Sequence, residues 1–112
     1  MIARALMSKP RLLVLDEPTA AVDLRGREEF LESITAACRQ NTELTVLLVT
    51  HYTEEITGLF TNAALIKNGR FLCQGGLKTV FTETNLSELF GIPVKLVLEN
   101  GRILSWAGEV KA

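Results

Sequence analysis

Two adjacent acidic residues, Asp16 and Glu17, follow directly on an aliphatic run at residues 12–15. Acidic neighbours in this position suit magnesium-nucleotide chemistry, in which one carboxylate binds the metal or its waters and the other polarises an attacking water. In the alternative interpretation Asp16 caps the following turn and Glu17 is solvated, and the Asp-Glu pair by itself favours that alternative. The aliphatic run before the pair, and Pro18 and Thr19 after it, favour the catalytic interpretation.

His51, the single histidine, is the next candidate. A histidine after a strand is more often a polar loop residue than a catalytic one. In a catalytic role it would donate a hydrogen bond to a terminal phosphate or orient the attacking water. Asp23 has two compatible interpretations, a helix N-cap and a polar contact near the site, of which the N-cap is favoured.

A strand–helix–strand unit would position these residues. The run at residues 12–15 has no polar face, as in a buried parallel strand, and its short length and Pro18 favour a strand over a helix. Apolar residues then follow helical spacing from Leu24 to Cys38, and residues 44–49 form a second buried strand. This order predicts an α/β fold in which the two strands run parallel in one sheet.

The two predicted strands bring distant residues together, because parallel strands end at the same edge of a sheet. Asp16 and Glu17 are therefore expected beside Thr50 and His51, at the crevice where α/β sheets bind ligands. This placement favours a catalytic role for His51.

Three short helices are predicted beyond the second strand. One covers residues 52–60, with Glu54 and Glu55 on its solvated side. A second covers residues 75–81, where a glycine pair begins it. A third covers residues 85–91, between a capping-box-like start and a glycine stop.

Two Asn-Gly pairs predict hairpins on either side of the last two helices. The pair at 68–69 is a strong signal for a type I′ turn, and the pair at 100–101 predicts a second turn. The strands that flank these turns are expected at residues 63–67, 71–74, 94–98 and 103–104.

The composition limits the class of protein. The chain has 112 residues, a length that suits one small domain. It has 12 Lys and Arg against 13 Asp and Glu, so it lacks the excess of positive charge that proteins coating nucleic acid need. At 47% hydrophobic residues it is not a disordered tail. Cys38 and Cys73 fit no metal-ligand spacing or disulfide framework. No apolar run is long enough for a membrane span and no secretion signal is expected, so the cytosol is the predicted compartment.

The candidate residues resemble motifs of the ATP-binding cassette (ABC) ATPases. Residues 12–19, Leu-Leu-Val-Leu-Asp-Glu-Pro-Thr, resemble the Walker B strand of that family. Residues 20–23, Ala-Ala-Val-Asp, resemble its D-loop, and residues 49–55, with Val-Thr-His followed by Glu-Glu, resemble its H-loop. Residues 2–6 are helix formers before Pro10, and they resemble the helix that follows the family's signature motif, so the sequence is expected to begin inside an element.

The resemblance continues towards the C-terminus. Residues 67–70 and 74–75 resemble the hairpin after the H-loop. Residues 85–91, Asn-Leu-Ser-Glu-Leu-Phe-Gly, resemble the tail of importer ATPases of the iron-chelate and cobalamin type, which gives a modest preference for an importer.

The resemblance implies a role for each matched residue. Asp16 would bind Mg²⁺ of the nucleotide, usually through water, and Glu17 would activate the hydrolytic water. His51 would contact the γ-phosphate of ATP, and Asp23 would act across a head-to-tail dimer with a second ABC ATPase domain. Tyr52 departs from the pattern, in which an Asp often follows the histidine, so any contact of that Asp does not carry over.

The resemblance also implies cofactors, partners and a location. ATP and Mg²⁺ would be the cofactors, and Mg²⁺-dependent hydrolysis would drive a conformational change in transmembrane transporter subunits. No direct nucleic-acid binding is expected. The ATPase would be cytoplasmic and would lie on the inner face of the cell membrane through its transporter partners.

A P-loop, Gly-x-x-x-x-Gly-Lys-Ser/Thr, is absent from the sequence. The nearest segment, residues 75–79, has Leu77 where glycine must precede the lysine, and Leu72 stands at the first glycine position. The Leu-Ser-Gly-Gly signature and an adenine-stacking aromatic loop are absent as well. The chain thus resembles the C-terminal half of the family's ATPase domain.

The predicted organisation is one partial P-loop NTPase-type domain over residues 1–112. Residues 1–74 would form the catalytic-edge βαβ core with its hairpin, and residues 75–112 a C-terminal extension. Because the family sheet has further strands, apolar surface should be uncovered at residues 12–15 and 46–49. We therefore expect the isolated chain to be poorly soluble or molten and to hydrolyse ATP negligibly.

Three functions remain open from the sequence. The first is the ATPase subunit of an ABC transporter. The second is a soluble ABC ATPase of DNA repair or translation, which a coiled-coil insertion or a second cassette elsewhere in the gene would favour. The third is a non-hydrolysing fragment that binds a partner cassette, which the missing loops favour. Similarity of fold cannot choose among them.

Overall fold

The computed structural model describes residues 11–108, so the helix predicted near the N-terminus lies outside the described residues. The chain divides into two compact units, one ending at Glu55 and the other beginning at Ile56. No helix within residues 11–108 is both long enough and apolar enough to cross a membrane.

The first unit is the predicted strand–helix–strand. Strand β1 (Leu12–Asp16) is followed by helix α1 (Leu24–Gln40) and strand β2 (Thr45–Val49). The strands pair in parallel, with Leu12 opposite Thr45 and Asp16 opposite Val49. The prediction of a βαβ core is therefore confirmed.

Helix α1 has the caps that its sequence predicts. The Oδ1 atom of Asp23 accepts a hydrogen bond from the Gly26 N–H at 2.8 Å, and the Asn41 N–H donates to the Ala37 carbonyl at 3.0 Å. The helix buries Leu31, Ile34 and Ala37. Leu24, which the helical spacing placed on the same face, is 65% exposed.

The sheet of the first unit has one buried and one open face. Leu13 is buried on β1, whereas the alternate side chains of both strands, Leu12, Val14, Leu47 and Val49, are all about half exposed. We call these four side chains the open face. Both faces of a parallel sheet are normally covered, because its strands are apolar on both sides. The prediction of uncovered apolar surface on these two strands is confirmed.

The second unit consists of two antiparallel hairpins and two short helices. Strands β3 (Asn62–Lys67) and β4 (Arg70–Gly76) form the first hairpin, and β5 (Val94–Glu99) and β6 (Arg102–Ala107) form the second. Helices α2 (Leu77–Val80) and α3 (Glu83–Phe90) connect them. The buried residues of this unit form one apolar cluster: Ile56, Leu65, Val80, Phe81, Leu86, Val94 and Ile103.

Both Asn-Gly turns have the predicted geometry. Asn68 and Gly69 have φ angles of 52° and 75°, and Asn100 and Gly101 have 52° and 74°. Positive φ at both central residues defines a type I′ turn, whose twist matches that of the flanking strands. At Gly101 packing adds a second demand, because an added Cβ would lie 2.9 Å from the Gly58 Cα.

The predicted helix over residues 52–60 is wrong. Only Thr53–Glu55 form a single 3₁₀ turn, and the Tyr52 N–H before it donates to the Thr50 hydroxyl. Glu55 is buried, not solvated. The Glu55 carboxylate accepts hydrogen bonds from Thr19 instead of facing solvent.

The start predicted for helix α3 is also wrong, whereas its end is confirmed. The N-cap is Thr82, whose hydroxyl accepts a hydrogen bond from the Asn85 N–H at 3.1 Å. The Asn85 side chain instead donates to the Val80 carbonyl at 3.0 Å. Because Thr82 provides the same cap three residues earlier, the helix begins at Glu83. It ends at Gly91, which has left-handed backbone.

Both cysteines are free thiols. Burial raises the pKa of the Cys38 thiol above its ordinary value. Because the thiolate is the reactive form, this position on α1 is poorly suited to nucleophilic or redox chemistry.

Candidate active site

The ends of β1 and β2 bring the predicted site residues to one edge of the sheet. Asp16 lies opposite Val49 in the parallel register, and the Glu17 N–H donates to the Val49 carbonyl at 2.7 Å. This bond extends the pairing one residue beyond β1. The loops that follow the two strands therefore leave the sheet side by side, as the sequence predicts.

Glu17 and His51 are in direct contact. The His51 Nε2 atom lies 2.9 Å from the Glu17 Oε1 atom, and the two side chains are 79% and 42% exposed. A carboxylate and an imidazole that touch at an accessible edge can both reach a water molecule or a phosphate oxygen. The structure thus brings together two of the residues for which catalytic roles are predicted.

The backbone of Glu17 is unusual, and no sequence pattern indicated it. Its φ angle is 46°, in the left-handed region that residues other than glycine rarely adopt. A residue before proline ordinarily takes extended backbone, and Pro18 follows Glu17. Such a conformation costs about 1–3 kcal/mol and is kept only where the surrounding structure fixes it.

Asp16 fits a magnesium ion that is carried by a nucleotide. Within residues 11–108 no three His, Cys, Asp or Glu side chains are grouped so that they could hold a metal ion by themselves. Mg²⁺ commonly keeps several waters and is bound by one or two carboxylates together with substrate phosphates. Asp16 is exposed and lies on the same side of the sheet as Val14 and Val49. Its carboxylate is therefore at the edge of the sheet where the open face stops.

Asp23 is placed by its role at the start of helix α1. Its carboxylate accepts the hydrogen bond from Gly26, and the residue itself is exposed. The N-cap prediction is confirmed. An exposed carboxylate at this position has further lone pairs free for a polar contact, and its action across a dimer stays a prediction.

Glu55 is a buried carboxylate at this edge that the sequence analysis placed in solvent. It has no exposed surface, and its Oε2 atom accepts hydrogen bonds from both the N–H (3.1 Å) and the hydroxyl of Thr19. Its Oε1 atom is buried without a hydrogen-bond partner. Thr19 is 36 positions earlier in the chain. The Glu54-Glu55 pair looks like two solvated residues in the sequence, so no local pattern identifies this contact.

Comparison with known proteins agrees with this geometry. No family model matches the chain. The ABC transporter ATP-binding protein YlmA of Bacillus subtilis is 38% identical over 102 residues, which cover 91% of this chain and 39% of YlmA. The molybdenum import ATP-binding protein ModC 1 of Azotobacter vinelandii is 33% identical over 99 residues, or 88% of this chain and 27% of that protein.

A solved structure supports the same relationship. An inward-facing ABC transporter described as metal-chelate type superimposes with a TM-score of 0.73 at 28% identity, over 93% of this chain and 41% of that one. The relatives of this chain are ABC transporter ATP-binding proteins. Its fold is a partial P-loop NTPase-type α/β fold, as predicted. The chain spans about two fifths of the length of YlmA.

Proposed function

We propose that this chain forms the water-activating part of an ABC ATPase domain that hydrolyses Mg²⁺-bound ATP. The observation that supports the proposal best is the 2.9 Å contact between Glu17 and His51. This contact lies where the two parallel strands end, next to the exposed carboxylate of Asp16. Both units, residues 1–112 together, would belong to that one partial domain.

Each polar side chain has a distinct role in the proposed reaction. A water oxygen attacks the γ-phosphorus, its proton passes to the Glu17 carboxylate, and the bond between the γ-phosphorus and the bridging oxygen of ADP breaks. The His51 N–H donates to a γ-phosphate oxygen, where negative charge is concentrated. Asp16 would hold Mg²⁺ through water, and the ion would supply positive charge that offsets the charge of the phosphates.

The contact between Glu17 and His51 also suggests how the two residues share their work. Without nucleotide, the His51 Nε2 atom interacts with the Glu17 carboxylate. A γ-phosphate is also an anionic acceptor, so it would compete with the Glu17 carboxylate for a hydrogen bond from His51 Nε2. Its binding would free the Glu17 carboxylate to take up the attacking water.

The open face supports the proposal that more of the domain packs here. Its four apolar side chains lie on the same two strands as Asp16, which is at the edge of the sheet. Burial of a half-exposed valine or leucine adds about 1 kcal/mol each, so a complementary segment would gain from covering this face. The sequence lacks a phosphate cradle, and a P-loop segment that covered the open face would bring the phosphates to Asp16.

We further propose that the completed ABC ATPase works with transmembrane transporter subunits at the cytoplasmic face of the membrane. The relatives support a transporter over a soluble ATPase of DNA repair or translation, because YlmA and ModC 1 are both named as transport proteins. The name of ModC 1 and the resemblance of residues 85–91 favour an importer. Asp23 would contact a second ABC ATPase domain in a head-to-tail dimer.

A second candidate function is a fragment that binds a partner cassette without hydrolysis. The absence of a P-loop from the sequence favours it. In that case Asp16, Glu17 and His51 would retain their geometry while turnover would be absent even when the missing segment is supplied.

Reconstitution separates the two candidates. The chain is co-expressed with a separate segment that contains a P-loop and a Leu-Ser-Gly-Gly signature motif, and we call this assembly the completed domain. Mg²⁺-dependent phosphate release is then measured for the unchanged chain, for Glu17→Gln and for the control Glu32→Gln, an exposed glutamate on α1.

The expected result is turnover that falls about 10²–10⁴-fold with Glu17→Gln, as for loss of a general base, and is unchanged with Glu32→Gln. Turnover that survives Glu17→Gln would overturn the proposed mechanism. An assembled domain that binds nucleotide and releases no phosphate would establish the binding fragment instead.

A further inference from the structure

We infer that Glu55 is a positioning residue for Glu17, holding the loop after β1 through Thr19. The inference rests on the proposed function, because it concerns how the water-activating carboxylate is oriented. Glu55 is hydrogen-bonded to Thr19, which is two residues after Glu17. Its action passes through Thr19 and the backbone of Pro18.

The contact between Glu55 and Thr19 fixes the backbone position of Thr19. One carboxylate oxygen, Oε2, accepts hydrogen bonds from both the N–H and the hydroxyl of Thr19. Thr19 is 6% exposed and Glu55 has no exposed surface, so water does not compete for these bonds. Two bonds from one residue define both the position and the orientation of its peptide unit.

The burial of Glu55 is unfavourable for folding alone. Removing a carboxylate from water is costly even when it is hydrogen-bonded, and here the second oxygen, Oε1, has no partner. An apolar residue of similar size would avoid that cost but would leave the buried N–H and hydroxyl of Thr19 without an acceptor. The carboxylate therefore ties the conformation of the loop after β1 to its contact with Thr19.

Three connections join the loops after the two parallel strands. The Glu17 N–H donates to the Val49 carbonyl, Glu17 contacts His51, and Thr19 donates twice to Glu55. The Glu17–His51 pair is largely exposed, and exposed ion pairs hold geometry weakly. The buried connection between Thr19 and Glu55 is thus the one that can fix the loop beyond Glu17.

The rigidity of Pro18 carries this constraint to Glu17. Proline fixes its own φ near −65°, so little freedom remains between the peptide of Thr19 and that of Glu17. Glu17 is held at a φ of 46° between its bond to Val49 on one side and the fixed Thr19 on the other. If Glu55 released Thr19, Glu17 would relax towards extended backbone and its carboxylate would leave His51.

The test compares three variants in the completed domain. Glu55→Ala removes both acceptor bonds, and Thr19→Val removes only the hydroxyl. Glu55→Gln keeps an oxygen that can accept from Thr19. The matched control is Thr35→Val, which removes a part-buried hydroxyl bonded to the Leu31 carbonyl at 3.0 Å within α1.

The expected result is a change in kcat without a change in KM for ATP, because Glu55 and Thr19 are buried and would act only through the position of Glu17. Displacement of a catalytic group by about 1 Å lowers rates about 100-fold, so Glu55→Ala should lower kcat about 100-fold. Thr19→Val should lower it about 10-fold. Glu55→Gln should restore most of the activity, and Thr35→Val should leave kcat unchanged.

A second readout does not depend on turnover. His51 is the single histidine of the chain, so ¹⁵N-histidine labelling gives one imidazole whose chemical shifts report its contact with Glu17. Glu17→Gln should shift these resonances. Glu55→Ala and Thr19→Val should shift them in the same direction, and Thr35→Val should not.

The inference is overturned if Glu55→Ala or Thr19→Val leaves both kcat and the His51 resonances as they are in the unchanged chain. It is also overturned if Thr35→Val lowers kcat as much as Thr19→Val does. Failure of the proposed function looks different, because Glu17→Gln would then leave turnover intact while Glu55→Ala still shifted the His51 resonances.

Discussion

The two units of the chain bury their apolar residues to different extents. In the unit that ends at Glu55, the parallel strands β1 and β2 leave four large side chains half exposed, and both strands are edge strands. In the unit that begins at Ile56, two hairpins and two helices enclose an apolar cluster whose central members are less than 2% exposed. The residues with candidate chemistry all lie in the first unit.

The difference follows from how the strands pair. An antiparallel hairpin can have one face in solvent and still be stable on a local core, whereas parallel strands are normally covered on both faces. We therefore expect the first unit to need a covering segment and the second unit to be more nearly self-contained. The edge that carries the candidate site residues would then lie in the less stable unit.

The largest expected effect concerns the isolated chain. We expect poor solubility, negligible ATP hydrolysis, and rapid amide hydrogen exchange in β1 and β2 with slower exchange in β3 to β6. In the completed domain the exchange in β1 and β2 should slow, because the open face is then covered. A sharp cooperative melt from a monodisperse monomer of the isolated chain would contradict this expectation.

The second prediction compares leucines from the two units. Leu86 is 1% exposed in the second unit, and Leu47 is 51% exposed on the open face. Leu86→Ala should reduce the free energy of unfolding by about 2–5 kcal/mol, the usual cost of a cavity in a core. Leu47→Ala should cost less than about 1 kcal/mol in the isolated chain.

Urea denaturation of the whole chain measures the first effect by the fluorescence of the single tryptophan Trp106, and amide hydrogen exchange in β1 and β2 measures the second. In the completed domain the cost of Leu47→Ala should rise, since the side chain is then buried. Equal effects of the two substitutions in the isolated chain would show that the open face is already covered.

The third prediction separates the two Asn-Gly turns of the second unit. Gly69 and Gly101 both have positive φ, but only Gly101 would place a Cβ 2.9 Å from the backbone of Gly58. Gly69→Ala should cost about 1 kcal/mol for the left-handed backbone alone. Gly101→Ala should cost at least about 2 kcal/mol, because overpacking adds to the same strain.

The same urea titration compares the two alanine variants, with Gly69→Ala as the control for conformational strain. If both variants lose the same stability, the close approach of Gly58 and Gly101 does not contribute.

The smallest expected effect concerns the cap of helix α1. Asp23→Ala should lower the stability of the first unit by about 1 kcal/mol, and Asp23→Asn should change it little, because asparagine also caps well. Thermal melts of the completed domain measure both. Asp23→Asn removes the charge and keeps the cap, so a loss of turnover in that variant at unchanged stability would support the predicted role across a dimer. Equal stability of the alanine and asparagine variants would argue against the cap.

Much of the candidate site was predictable because its elements follow local rules. The aliphatic runs before Asp16 and Thr50, with an amphipathic segment between them, are enough to predict parallel strands. The meeting of Glu17 with His51 follows from that topology. The cap at Asp23 and the turn at Asn68 follow from residue types that satisfy specific backbone positions.

The elements predicted wrongly show where local rules stop. Helical periodicity suggested a helix over residues 52–60, but only a 3₁₀ turn forms there, and it ends at Glu55, whose carboxylate accepts a hydrogen bond from Thr19. Asn85 and Glu88 suggested a capping box, but Thr82 caps the helix earlier. In both cases a competing hydrogen bond, local or long-range, changed the end of an element.

The sequence by itself determined the βαβ order, the edge at which Asp16, Glu17 and His51 emerge, and the two hairpin turns, because periodicity and turn chemistry act over a few residues. Only the tertiary structure decided the burial of Glu55, the left-handed backbone of Glu17 and the extent of the open face. These features depend on contacts between residues far apart in the chain, such as Thr19 and Glu55, and on which surfaces remain without a neighbour. Neither leaves a periodic signal in the sequence.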